Sequence, residues 1–278
     1  MKFVSIIIPN YQKLPLIKYL PKVIAAGQGS EIIVVDDASP DDTVAYLAKH
    51  FPQVKVVVNQ TNQRFAAACN NGVQAAKSDI VVLLNSDVAP KPGFLKPLIK
   101  HFSDPKVFAV SCLEIQPDGI SGQNRCQFKR GFLVHSAAPI NKAKVAKNCW
   151  ATGGSSAFNR RKYLALGGMD SLYQPAYWED IDLSWRARQQ GFTILFEPQS
   201  QVFHHHETTN LSVFGQKKME TMAFRNQLLF VWKNIRGQQL LEHFLWLPYH
   251  LVLTTIRTQG LFLTAFLQAV LKWVQYKL

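Results

Sequence analysis

The chain is short of several things that would fix its class at once. Its 278 residues hold only four cysteines, Cys69, Cys112, Cys126 and Cys149, with no CxxC and no metal-ligand spacing. That argues against a disulfide-built scaffold or a zinc module, and the simplest expectation is four reduced, buried thiols. The apolar run at residues 3–8 is too short for a secretory leader, so a cytoplasmic protein is expected. Two apolar stretches near the end, residues 244–256 and 260–271, each fall below the ~20 residues needed to cross a bilayer. No internal repeat or low-complexity tract is visible. Acids are scarce too: 18 against 31 Lys plus Arg, a formal net charge of +13 and a pI near 9.6. The shortage is concentrated. Between Asp118 and Asp170 there is no acid at all, while nine bases lie there, from Arg125 to Lys162. Such a surface is either plainly solvated or keeps polyanionic company: phosphate groups or anionic lipid. No nucleic-acid module accompanies it, so nucleic acid is not an expected partner.

What is present is a core. Apolar residues make up 47% of the chain, enough to bury a large domain. Residues 3–8, 31–35, 54–58 and 79–84 read as strands apolar on both faces, and residues 14–26, 41–50 and 65–76 read as helices between them. Strands of that kind alternating with helices predict an α/β fold, a mostly parallel sheet covered on both faces. Ligands of such sheets sit beyond the carboxyl ends of the strands. The polar residues at those ends are Asn10, Asp36, Asp37, Asn85 and Asp87. Residues 116–159, punctuated by Gly, Pro, Ser and Asn, read as mixed β structure. From about Ser212 the chain reads as helical.

Four segments carry chemistry. Leu83-Leu84-Asn85-Ser86-Asp87 runs an apolar strand out into a carboxylate, a hard oxygen ligand for Mg²⁺ or Mn²⁺ bridging a diphosphate. The same tripeptide also makes an ordinary turn. Asp36-Asp37 can accept hydrogen bonds from a nucleobase or ribose, or cap the next helix. Trp178-Glu179-Asp180-Ile181-Asp182 begins a helix ending near Gly191, with Asp182 and Arg186 spaced to pair along it. The helix dipole favours ionised carboxylates at Glu179 and Asp180, and an ionised carboxylate in a pocket can act as a general base. Finally, His204-His205-His206 follows a short strand at 201–203. In an extended chain His204 and His206 share one face and His205 takes the other. A neutral imidazole there is a metal ligand or a surface group.

Taken in order, these segments resemble the family 2 glycosyltransferases with the GT-A fold. The resemblance rests on Val4-Ser-Ile-Ile-Ile-Pro9-Asn10-Tyr11, Ile32-Ile-Val-Val-Asp36-Asp37-Ala-Ser39, Asn62-Gln-Arg64-Phe through Gly72, and Leu83 through Asp87. In the second half, Gly153-Gly154 through Arg161, Gly167-Gly168-Met-Asp170, Glu179 through Leu183 and Val202-Phe-His204 are similar to the rhamnosyltransferase-like branch. The match covers roughly residues 1–235. It implies a GT-A domain there, with a nucleotide-sugar-binding half at 1–110 and an acceptor and catalytic half at 111–235. It further implies that Asp37 binds the donor base with Pro9 and Asn10 lining the same pocket, and that Arg64 contacts the donor. Asn85 and Ser86 stand in the first two places of the Asp-x-Asp motif, leaving Asp87 as metal ligand with His204, for Mn²⁺ or Mg²⁺. Asp180 is the implied inverting base and Glu179 its neighbour. The implied reaction moves a sugar from a nucleotide-diphosphate sugar, dTDP-rhamnose among the candidates, to a lipid-linked or cell-surface glycan.

Two other readings compete. A nucleotidyltransferase acting on sugar phosphates carries a Gly-rich loop after its first strand; Asn10-Tyr-Gln-Lys-Leu-Pro15 has no glycine. A catalytically silent binder of anionic glycans or nucleic acid leaves acids at three separate element ends unexplained. The last 43 residues, 236–278, hold four bases and one acid around the two apolar stretches, with Trp246, Tyr249, Trp273 and Tyr276 among them. They are expected to form amphipathic helices lying on an anionic membrane surface, the inner face of the cell membrane. The alternative is packing on the chain's own core or on a second copy, which keeps a homo-oligomer open.

Overall fold

The computed structural model describes residues 4–205 and 214–278. Strands β1 (Val4–Asn10), β2 (Glu31–Asp36), β3 (Lys55–Val58) and β4 (Ile80–Leu84) alternate with helices α1 (Lys13–Ala26), α2 (Thr43–His50) and α3 (Arg64–Ala75). All pairings among these four strands are parallel, with β1 between β2 and β4. The period of two along β1 explains both layers. Ile6 and Ile8 face one side, against Leu16, Leu20 and Val23 of α1 and Leu47 of α2. Ile7 faces the other, against Ala66, Cys69 and Val73 of α3.

Beyond β4 the sheet becomes mixed. The short β5 (Val88–Pro90) is followed by α4 (Leu95–Ile99) and then by β6 (Val107–Gln116), β7 (Gly119–Ser121), a two-stranded ribbon of β8 (Asn124–Lys129) and β9 (Phe132–Ala137), β10 (Ala146–Lys147) and β11 (Ser155–Asn159). Helices α5 (Arg160–Ala165) and α6 (Glu179–Gln189) lead to β12 (Thr193–His204), a twelve-residue strand of which the expected segment at 201–203 is only the end. The main sheet has ten strands, and β11 runs antiparallel to both β4 and β6. Strand β12 runs parallel to β6 and antiparallel to β5.

Helices α7 (Gln216–Asn234), α8 (Gly237–Tyr249) and α9 (Leu261–Lys277) close the chain. Leu228–Val231 of α7 pack with Phe132, Leu172, Tyr173, Trp178, Phe262 and Ala269 as a third core. Helix α9 thus buries Phe262, Ala265 and Ala269, one stripe at helical spacing, and packs on the chain's own body. His243 of α8 is buried and fixed in tautomer: it accepts from Trp232 Nε1 and donates Nδ1–H to the carbonyl of Gly131.

The cysteine expectation is corrected. Cys126 on β8 is disulfide-bonded to Cys149, and only Cys69 and Cys112 are free and buried. Asn124 explains the juxtaposition, because its Oδ1 accepts from the amides of Cys149 and Trp150 and draws that segment onto β8.

Candidate active site

Because β1, β2 and β4 are parallel, Asn10, Asp36 and the Asn85-Ser86-Asp87 turn emerge at one edge of the sheet. A cavity of about 700 Å³ opens there. It is lined by Pro9, Asn10, Asp37, Arg64, Asn85, Ser86, Asp87, Glu179, Asp180 and His204, the ten residues to which the family resemblance gives a role. Asp36 is not among them. Its carboxylate turns back on Ser39, accepting from the amide and the hydroxyl.

Asp37 is buried and engaged. Its oxygens accept from Asn59 Nδ2 at 2.7 Å and from the amides of Gln63 at 2.8 Å and Arg64 at 2.7 Å. The carboxylate therefore shapes the loop that presents Arg64, whose backbone is left-handed at φ 70°. Asn10 beside it is different. Its Oδ1 is buried with no hydrogen-bond partner among the described residues, while its Nδ2 reaches Ser39 Oγ at 3.4 Å. A buried acceptor left open in a cavity is a place for a ligand N–H or O–H.

Asp87 and His204 come together because β12 pairs with β5, placing His204 opposite Val88. His204 Nε2 lies 3.4 Å from Asp87 Oδ1. On its other side, Nδ1 lies 3.5 Å from Oε2 of Glu114, on β6. Burial acts to lower the imidazole pKa, but the two carboxylates outweigh it and hold it up to about 9. Burial acts to raise Glu114; His204, Ser155 and Ser121 reverse that and hold it down to about 2. Among the described residues no three His, Cys, Asp or Glu side chains form a complete metal cluster. A carboxylate and an imidazole converging on one cavity do fit Mn²⁺ or Mg²⁺, which commonly take one or two protein ligands and fill the rest with phosphate and water. His205 points away and stacks on Tyr19, ring centroids 4.7 Å apart. His206 lies outside the described residues.

The third wall is the start of α6. Tyr177 and Trp178 both have positive φ, 72° and 81°. Non-glycine residues in that region carry strain and persist only where neighbours hold them. Here Asn226 of α7 donates to the carbonyls of Tyr173, Ala176 and Tyr177, and Arg225 and Lys272 donate to that of Gln174. Asp182 is fully buried and tied to Tyr173, Arg186, Lys233 and Asn234, so it is committed to holding α6 in place. Asp180 faces the cavity, with Oδ2 accepting from the amide of Gly153 at 3.3 Å. Gly154 lets the Asn85 amide lie close in the same neighbourhood: a Cβ there would come 2.5 Å from it and make it shift.

The expectation that the helix dipole keeps Glu179 and Asp180 ionised is corrected in direction. Burial pushes Asp180 up to about 6. Burial and then the charge of Asp180 push Glu179 up to about 8. Glu179 Oε2 is buried with no hydrogen-bond partner among the described residues. Each of the two carboxyls therefore keeps its proton to a higher pH than a solvated one would.

Sequence reasoning missed Glu114, although a lone acid in the apolar run of β6 is a visible signal. It also missed the apolar wall of Pro175, Ala176, Tyr177, Phe214 and Met219, which no motif marks.

The chain matches the glycosyl transferase family 2 over residues 5–166, and it belongs to that family. It is 30% identical over 196 residues to the pre-mycofactocin glycosyltransferase of Mycobacterium tuberculosis, covering 68% of this chain and 40% of that protein. It is 26% identical over 204 residues to the O-antigen chain rhamnosyltransferase WbaN of Salmonella anatum, covering 71% and 63%. It is 25% identical over 203 residues to the N-acetylglucosaminyl-diphospho-decaprenol L-rhamnosyltransferase of M. tuberculosis, covering 63% and 66%. The chain therefore spans less than two thirds of the length of the first of these. In fold it resembles GalNAc-T7, solved with UDP, GalNAc and Mn²⁺, at a TM-score of 0.65 and 19% identity over 83% of this chain and 48% of that one. It also resembles the mannosyltransferase PcManGT of Pyrobaculum calidifontis, solved with GDP-Man and Mn²⁺, at a TM-score of 0.60 and 18% identity over 98% and 86%. The GT-A expectation for the fold is met.

Proposed function

We propose that the chain is an inverting glycosyltransferase that moves a sugar from a nucleotide-diphosphate sugar to a hydroxyl of a lipid-linked or cell-surface glycan. The observation that carries this is the convergence of ten residues from separate segments on one cavity, with a raised-pKa carboxylate and an Asp–His pair both opening into it. Asn10 offers its open Oδ1 to the nucleobase or ribose, and Asp37 holds the loop that brings Arg64 to the donor. Asp87 and His204 would hold Mn²⁺ or Mg²⁺, which when bound stabilises charge on the leaving diphosphate. Asp180 accepts the proton of the acceptor hydroxyl as that oxygen attacks the anomeric carbon from the opposite face. Glu179, protonated beside it, keeps a second negative charge out of the base's surroundings. The apolar wall of Pro175, Tyr177, Phe214 and Met219 suits the acceptor. The rhamnosyl-transferring relatives favour dTDP-rhamnose as donor, and one of them is named for a diphosphate-linked polyprenol acceptor.

The membrane is the proposed setting. Among the described residues no helix is long and apolar enough to cross one. The outer faces of α8, α9 and the helical segment Thr255–Arg257 between them nonetheless carry Leu245, Ile256, Leu267 and Leu271, all more than half exposed, beside Arg257 and Lys277. That pattern suits a helix pair lying in an anionic interface.

A thermal-shift screen of nucleotide sugars with Mn²⁺ tests the enzymatic reading. A donor at a hundred times its Kd adds about 2.7 kcal/mol, so one nucleotide sugar should raise Tm by several degrees. The Asp87→Ala protein should lose the Mn²⁺-dependent part of that shift and all turnover. Wild-type metal-stimulated rates in the variant would show the donor site to be elsewhere.

A further inference from the structure

Glu114 has no role in the reading above, yet it is a firmly anchored acid in the cavity wall. It is 6% exposed. Its Oε1 accepts from Ser155 Oγ, and its Oε2 accepts from Ser121 Oγ at 2.9 Å and Gln116 Nε2 at 3.0 Å. These donors sit on β11, β7 and β6, so the carboxylate is fixed from three strands. Strand β12 runs between β6 and β5, and its last residue is His204. Glu114 lies opposite Val202 in the parallel register of β6 and β12, and Val88 lies opposite His204 in the antiparallel register of β5 and β12. The pairing therefore puts one carboxylate on each side of the same imidazole, Asp87 at Nε2 and Glu114 at Nδ1.

Resting on the metal reading of Asp87 and His204, we propose that Glu114 is the positioning residue of that cradle. It takes the Nδ1–H of His204 and so turns the Nε2 lone pair toward Asp87 and the ion. A neutral imidazole has one N–H and one lone pair, and whichever nitrogen is held as donor decides which one can ligate. A carboxylate on the outer nitrogen fixes both tautomer and ring orientation, and its loss typically costs 10–100-fold in metal affinity. Asp87 alone could hold an ion, but not with a ring free to present the wrong nitrogen.

The test is Mn²⁺ affinity of the full chain, with free ion read by electron paramagnetic resonance and no turnover required. Glu114→Gln should weaken Mn²⁺ about 10–100-fold. In the His204→Ala background the same change should add nothing, since a positioning residue acts only through its histidine. An added loss in that background would make Glu114 a ligand in its own right and overturn the proposal. So would full Mn²⁺ affinity in a folded Glu114→Gln protein. Should that variant fail to fold, ¹⁵N-histidine spectra of the wild type with Mg²⁺ decide the matter. A proton on Nδ1 of His204 is expected; a proton on Nε2 overturns the inference. Asp87→Ala separates the two levels: unchanged Mn²⁺ affinity there removes the metal site itself, whereas lost affinity there beside full Mn²⁺ affinity in Glu114→Gln removes only the role of Glu114.

Discussion

The cavity wall holds two pairs of acids set in contrasting surroundings. On one side Asp87 and Glu114 flank His204, and Glu114 keeps its charge to about pH 2. On the other, Glu179 and Asp180 have no cation paired with them among the described residues, and both pKa values move up. Desolvation is the first cause in each case. The sign is set by what stands next to the carboxylate: an imidazole and two hydroxyls for Glu114, a second carboxyl and backbone amides for Glu179. The difference matches the two tasks a sugar-transfer site has. A metal cradle must stay charged at every working pH. A general base works best when its pKa lies close to the operating pH.

Breaking the second pair should produce the largest effect. Asp180→Asn keeps the shape and the contact from the Gly153 amide but cannot take a proton. Transfer should fall by about 10²–10⁴-fold, while Mn²⁺-dependent nucleotide binding survives. The wild-type rate should drop about tenfold per pH unit below about 6, where Asp180 protonates. Near-normal transfer by the Asn form would move the role to Glu179. Asp182 is no alternative, since it is fully buried and bound to Lys233 and Arg186.

Glu179→Gln sharpens the contrast through stability instead of rate. An acid whose folded pKa is raised contributes stability that is complete below its unfolded value, near 4.5, and lost as pH climbs through its folded value, about 8. Glutamine carries no such loss. The variant should therefore gain in Tm over the wild type at pH 9 and lose most of that gain at pH 5. An equal difference at both pH values would mean that Glu179 is not held neutral.

The donor side was legible because its chemistry sits at strand ends, where an apolar run stops at Asn10, Asp37 or Asp87. His204 was legible for the same reason, with family resemblance supplying its role. Glu114 was not, because its meaning depends on a partner 90 residues away that only the β6–β12 register brings alongside. The disulfide escaped for a similar reason: Cys126 and Cys149 are 23 residues apart, and Asn124, not a motif, joins them. The charge state of Glu179 was misjudged because the helix dipole is visible in sequence and burial is not. Most instructive is the α6 turn. Its strained residues are held by Asn226 and its carbonyl at 174 by Lys272, so helices from the last quarter of the chain support the α6 wall of the cavity.

That support changes how the tail must be tested, and the smallest predicted effect lies there. Deleting residues 240–278 would remove Lys272 from the Gln174 carbonyl and expose the partners of Phe262, whose burial stabilises by about 1.5–3 kcal/mol. A truncated protein that failed to bind liposomes would then be ambiguous between lost contact and lost fold. The exposed face separates the two. Leu245, Ile256 and Leu271 are 71%, 69% and 66% exposed and lie outside the third core, while Phe262 and Ala269 pack in it with α7. Changing those three to serine should leave Tm and soluble-acceptor turnover within error of the wild type, because surface substitutions of this kind typically cost no more than about 0.5 kcal/mol. Binding to vesicles rich in anionic lipid should fall, and the residual binding should disappear with salt, since bases such as Arg257 and Lys277 add only about 1 kcal/mol each near such a surface. If the triple-serine protein sediments with the vesicles as the wild type does, the apolar face is not the anchor, and the nine bases between Asp118 and Asp170 become the surface to neutralise next.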